Sequence, residues 1–190
     1  MRWPSLCPKK KESSPAVGDV PIPHDMRPAL RSDHAGETGA VFIYRGILAF
    51  SRDKDTRAFA EDHLKTELDH LRLMQQLVPS HGRSRLLWLW RTSGFLTGAL
   101  PALIGPTAVF RTVAAVETFV DQHYREQVDR LANLPDFGEL RELLEACRLD
   151  ELSHRDDAAS RLGPPGPLGK MWQNVVKVGS SFGVAAAYRF

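Results

Sequence analysis

The sequence predicts an all-α protein, and three observations carry that expectation. Apolar residues recur at helical spacing over long stretches, prolines and capping residues fall at the ends of those stretches, and no run alternates as a half-buried strand would. The 190 residues are 43% hydrophobic and 25% charged, which suits one globular domain with a real core.

Residues 1–24 carry the Lys9-Lys10-Lys11 run and several prolines without any periodicity, so they read as a disordered or loosely packed tail ahead of a domain over 25–190. The basic run suits acidic lipid headgroups or, more simply, plain solvation. A first helix is expected from near Pro28 through Ala35, Val41, Tyr44, Ile47 and Leu48 to about Arg52. A turn follows at Asp53-Lys54-Asp55, with Asp55 as N-cap. The next helix carries Phe59, Leu64, Leu68, Leu71, Met74 and Leu77 and stops before Pro79. Pro106 opens another, carrying Val109, Val113, Val116 and Val120 to about Leu134. Pro135 starts a fourth, with Leu140, Leu143, Leu144 and Leu149, halted by Gly163-Pro164-Pro165-Gly166. A last helical segment spans roughly Leu168 to Tyr188.

Between the two hairpins lies a hydrophobic insert over about 86–106. Thr92 to Phe110 contains no charge, nearly the length that crosses a bilayer. Gly94, Gly98, Pro101, Gly105 and Pro106 argue against a single spanning helix. With Trp88 and Trp90 just ahead, the stretch suits a helix pair lying at a membrane interface, the alternative being a connection buried in the protein's own core.

Several classes are excluded. A formal net charge of +2 leaves no nucleic-acid footprint. Two cysteines, Cys7 and Cys147, in no CxxC pair, make neither a disulfide scaffold nor a zinc ribbon. Met1 to Pro23 lacks the apolar stretch of a secretory signal, so an intracellular setting is expected.

The chemistry lies in two Glu-x-x-His units, Glu67-Leu68-Asp69-His70 and Glu151-Leu152-Ser153-His154. Positions i and i+3 share a helix face, so each unit aims a carboxylate and an imidazole at one point. One such unit is close to what chance supplies; two in matched settings are not. Glu37 lies about as far before the first turn as Glu67 lies after it, roughly 20–25 Å along each helix. Glu117 and Glu151 stand likewise about seventeen residues either side of Leu134, so each hairpin brings its pair level. Placed face to face, the hairpins converge Glu37, Glu67, His70, Glu117, Glu151 and His154. That is the ligand set of a di-iron or di-manganese ferritin-like four-helix bundle, here with the insert and a C-terminal helix added. Two divalent ions would cancel four buried carboxylates whose burial is otherwise costly.

Other residues stand near that face. His63 is one turn before Glu67, Asp33 and His34 a turn before Glu37, and Asp121 a turn after Glu117; each is a candidate to orient a ligand. Tyr124 returns to the Glu117 face seven residues on and is either a relay near the metals or a core tyrosine. Its neighbour His123 falls off that face.

These residues stand in motifs that resemble one family. Arg31-Ser32-Asp33-His34-Ala35-Gly36-Glu37, Glu67-x-x-His70, Val113-Ala114-Ala115-Val116-Glu117 followed by His123-Tyr124, and Asp150-Glu151-x-x-His154 resemble the demethoxyubiquinone hydroxylases of ubiquinone biosynthesis. Gly94-Phe95-x-x-Gly98-Ala99 and Leu103-Ile104-Gly105 are similar to that family's hydrophobic insert. Thr38 stands where the family usually has Tyr, and Thr118 and Phe119 also depart. The resemblance implies a di-iron monooxygenase that uses O₂ to hydroxylate the ring of a polyprenylated demethoxyquinol. Glu37 and His70 would hold one iron, Glu117 and His154 the other, with Glu67 and Glu151 bridging. His123 and Tyr124 become candidates for electron or proton relay. NADH is a possible reductant, though not a bound cofactor, since no Gly-rich dinucleotide fingerprint is present. The resemblance further implies peripheral membrane association and a possible link to other ubiquinone-biosynthesis proteins. The cytoplasmic face of a bacterial inner membrane is the expected location, with the matrix side of the mitochondrial inner membrane as the alternative. An iron-storage protein of the same fold, or a di-iron oxidase of another lipid, is the competing reading.

Overall fold

The computed structural model describes residues 17–164 and 166–190, and the Lys9–Lys11 run and Cys7 lie outside them. Among the described residues six α-helices form the fold: α1 Arg27–Phe50, α2 Lys54–Leu77, α3 Leu87–Ile104, α4 Pro106–Leu131, α5 Gly138–Ser160 and α6 Pro167–Arg189. The helical class agrees with the sequence expectation. Hairpins α1–α2 and α4–α5 make the four-helix bundle, α3 packs along α1, and α6 rests on both α1 and α4.

Helix boundaries follow local chemistry. Pro28 occupies the first turn of α1 and Pro106 that of α4, where a missing N–H costs nothing. The cap of α2 is Asp53, not Asp55. The Asp53 carboxylate accepts from the Thr56 amide at 2.8 Å and from its hydroxyl at 2.7 Å, which leaves Asp55 within the first turn. Pro135 opens a single 3₁₀ turn, Pro135–Phe137, and α5 begins after it at Gly138.

Packing begins earlier than residue 25. Val20 is buried beside Met26, Leu30, Leu77 and Leu131, with Val17 and Ile22 against the same core. A second core cluster, with Tyr44, Ile47, Phe59, Val109, Phe110 and Val113, occupies the other part of the bundle.

Over Thr92–Phe110 two helices do meet, α3 and the start of α4, but α3 is continuous through Gly94, Gly98 and Pro101, and the break comes only at Gly105, whose φ of 136° ends it before α4. The glycines are contact points, not breaks. A Cβ on Gly98 would stand 1.9 Å from the Ile43 carbonyl oxygen, and one on Gly94 would stand 2.3 Å from that of Gly39. Gly46 of α1 answers from the other side, 2.2 Å from the Phe95 oxygen. The two backbones therefore lie against each other, a spacing that only residues without side chains permit. Among the described residues, no helix is long and apolar enough to cross a membrane.

Candidate metal centre

All six expected residues meet at the middle of the bundle, each buried. Glu37, Glu67, His70 and Glu151 form one group that could hold a metal ion, and Glu67, Glu117, Glu151 and His154 form another. Within each group the ligand atoms lie within 4.8 Å of one another, and Glu67 and Glu151 belong to both. His70 Nδ1 stands 3.0 Å from Glu151 Oε1 and 3.8 Å from Glu37 Oε2. His154 Nδ1 stands 3.0 Å from Glu67 Oε1 and 3.4 Å from Glu151 Oε2. Both imidazoles thus turn the same nitrogen inward.

The electrostatics mark a place for cations. Burial pushes the carboxyls of Glu37, Glu67 and Glu117 upward, and neighbouring carboxylates push the same way. Burial would raise Glu151 too, but hydrogen bonds with His154 and His70 overturn it and hold that carboxyl below the usual range. Burial opposes charge on the imidazoles, yet the acids facing them win: His154 is pushed up to about 10, and His70 is also raised. Protons therefore neutralise a cluster that divalent ions would neutralise better. Oε2 of Glu67 and Oε2 of Glu37 are buried without a hydrogen-bond partner. Orphaned acceptors of this kind are costly unless something positive meets them. Four hard carboxylates with two imidazoles suit iron or manganese, so the residues fit a pair of such ions.

Paired contacts surround the cluster. Tyr44 of α1 donates to Glu117 of α4 at 3.1 Å, and Tyr124 of α4 donates to Glu37 of α1. His63 belongs to neither ligand group. It lies between the Tyr44 hydroxyl at 3.3 Å and Asp157 at 3.0 Å, and it stacks on the His154 ring at 4.2 Å. His70 Nε2 meets Asp150 at 3.2 Å. Two seven-residue spacings therefore interlock across the bundle, His63 and His70 on α2 with Asp157 and Asp150 on α5. The orienting role of Asp150 was not legible from motif spacing alone, though the shared heptad was there to be read.

The other candidate orienting residues bond elsewhere. Asp33 accepts from Gln127 at 2.8 Å and faces His123 Nε2 at 3.1 Å. Asp121 turns to Arg148 at 2.7 Å. His34 faces a separate cavity between α1, α2 and α3. His123 stacks beside Phe119 and does not join the ligand groups.

A cavity of about 490 Å³ leads away from the cluster. Glu37, Glu117, Glu151, His123 and Tyr124 line one part, while Ile43, Trp90, Leu96, Leu100, Val120 and Val175 give apolar walls from α1, α3, α4 and α6. Trp90 fits against Gly39 of α1 and Gly183 of α6. Trp172 ties α6 to α4 through Thr112 at 2.8 Å, and Arg31 ties the end of α6 to α1 through the Ala187 carbonyl at 2.8 Å.

Comparison with known proteins agrees with this architecture. The profile of the family described as Ubiquinone biosynthesis protein COQ7 matches residues 24–187. The 3-demethoxyubiquinol 3-hydroxylase of Rhodospirillum rubrum is 32% identical over 177 residues, 88% of this chain and 82% of the relative. The mitochondrial NADPH-dependent 3-demethoxyubiquinone 3-hydroxylase of Dictyostelium discoideum is 33% identical over 154 residues, 80% and 71% of the two chains. Its human namesake is 30% identical over 155 residues, 79% and 71%. With six ligand-type residues gathered in one helical bundle and a match across nearly its whole described length, the chain belongs to the COQ7 family of ubiquinone biosynthesis proteins.

Proposed function

We propose that the protein is a 3-demethoxyubiquinol 3-hydroxylase that holds two iron ions and uses O₂. The observation that carries this reading is the junction of the buried carboxylate–histidine cluster with one end of an apolar cavity. Glu37 and His70 would hold one iron, Glu117 and His154 the other, with Glu67 and Glu151 shared between them. Bound there, iron supplies the redox chemistry that activates O₂.

The chain's own residues supply the rest. Tyr44 and Tyr124 each fix one unshared carboxylate by a hydrogen bond, while Asp150 and His63 set the planes of the two ligating imidazoles. The apolar cavity walls exclude water and hold the quinol ring beside the cluster. In the overall reaction one oxygen atom enters a ring C–H bond and the other leaves as water, with two electrons and two protons from a reductant. NADH or NADPH fits that role, and the word NADPH in the relatives' names supports it. His123 and Tyr124, on the cavity wall, are placed to carry a proton or electron between quinol and cluster.

The polyprenyl tail would leave between α3 and α6. Exposed Trp88, Leu103 and Ile104 on α3, and Val178 and Phe182 on α6, support docking of that surface on a membrane. In a bacterial cell this would be the cytoplasmic face of the inner membrane, in a mitochondrion the matrix side. The competing storage reading gives no use to the apolar cavity or that surface.

Expression in cells that lack their own demethoxyubiquinone hydroxylase tests the proposal. Ubiquinone should return with the native chain and not with Glu151→Ala. Persistent demethoxyubiquinone in cells containing the iron-loaded, membrane-bound protein overturns it.

A further inference from the structure

A second cavity, of about 360 Å³, lies between α1, α2 and the start of α3, lined in part by His34, Arg45, Arg83 and Arg91. Among the described residues, no acidic side chain lines it. His34 is only 2% exposed, and neither ring nitrogen has a hydrogen-bond partner, an expensive arrangement for a buried imidazole. Burial, with Arg83 and Arg91 nearby, pushes its pKa down to about 4, so the ring is neutral and offers one N–H.

Several arginines elsewhere in the chain are neutralised by acids, and among the described residues these three are not. Arg125, Arg130, Arg148 and Arg161 all meet carboxylates. Arg83 instead uses Nε and Nη2 on the carbonyls of Val78 and Gln75, at 3.1 and 2.9 Å, which anchors its guanidinium and leaves Nη1 over. Arg45 rests over the Phe42 ring at 4.9 Å, and Arg91 has no carboxylate partner among the described residues. Three fixed or unpaired guanidinium groups around an unpartnered imidazole form a recess rich in donors and free of negative charge. Guanidinium forks and an N–H donor match the oxygens of a phosphate.

We propose that this cavity binds a phosphate group. Two sources share that chemistry: the phosphates of a nicotinamide dinucleotide, and the headgroup of an anionic lipid beside the apolar α3. The site lies apart from the metal cluster, so it stands or falls independently of the hydroxylase reading.

Arginine labelling of the full-length, iron-loaded protein with phenylglyoxal, read by mass spectrometry, tests it. Inorganic pyrophosphate at about ten times its dissociation constant should slow labelling of Arg91 about tenfold while exposed Arg141 labels at its usual rate. Arg83→Gln with Arg91→Gln should weaken pyrophosphate binding, measured by calorimetry, by about tenfold or more. Protection by NADPH at lower concentration than pyrophosphate identifies the nucleotide source. Protection by phosphatidylglycerol vesicles but not phosphatidylcholine vesicles identifies the lipid. Arg91 labelling that pyrophosphate, NADPH and phosphatidylglycerol vesicles all leave unchanged overturns the proposal.

Discussion

Tyr44 on α1 reaches across the bundle to give its phenolic hydrogen to Glu117 on α4, at 3.1 Å. Tyr124 and Glu37 make the converse bond, so each unshared carboxylate is held by the other hairpin. Tyr44→Phe removes one bond to a charged acceptor, worth about 1.5–3 kcal/mol. We expect two metal equivalents to remain by elemental analysis while turnover of demethoxyquinol falls by about tenfold or more. Loss of metal in this variant would show that the tyrosine holds the site together instead of tuning it.

Glu151 belongs to both metal groups and touches both imidazoles. Glu151→Ala should reduce bound iron from two ions per chain to one or none, with hydroxylation lost. Elemental analysis of the folded variant decides this. Full iron occupancy would contradict the shared role.

Gly98 tests the contact between α1 and α3. An alanine Cβ would meet the Ile43 backbone, which cannot move as a flexible side chain could. Gly98→Ala should cost about 3 kcal/mol or more, lowering Tm by roughly 6–12 °C for a chain of this size. Gly138→Ala, with open space around its Cβ, is the control and should leave Tm nearly unchanged.

The metal-free protein should lose stability as pH rises above 6.5. His154 has its pKa raised to about 10 in the folded state, and His70 is raised as well, against about 6.5 when unfolded. Their contribution is complete below 6.5 and disappears as pH climbs through the folded values, because the folded state then binds more protons than the unfolded one. The raised carboxyls of Glu37 and Glu117 act in the same direction. Thermal melts of chelated protein between pH 6.5 and 10 should show a falling Tm, and iron loading, which replaces those protons, should flatten the slope. A chelated protein whose Tm rises over that range would contradict this account.

Much of this was legible in the sequence because the ligand pattern is a matter of counting. Glu37 against Glu67 and Glu117 against Glu151 fall level once the turns are placed, and periodicity places the turns. The readings that missed concern what no single-helix count contains. Gly94 and Gly98 read as helix breakers because isolated glycine weakens a helix; their packing role appears only when the α1 backbone at Gly39 and Ile43 comes against them. Asp55 reads as the cap when the turn is taken to run through it, but the helix starts two residues earlier and the Asp53 carboxylate takes the Thr56 amide. Asp121 was placed near the ligands by its spacing from Glu117, but Arg148 on α5 attracts it away.

The bare-backbone seam between α1 and α3 has a further implication for anyone who would move the apolar helix to another protein. It is not a detachable module. Its mate is the bare α1 backbone at Gly46 and the carbonyls of Gly39 and Ile43, and a recipient scaffold with a side chain at the Gly46 position would reject the graft however well its own catalytic groups were arranged.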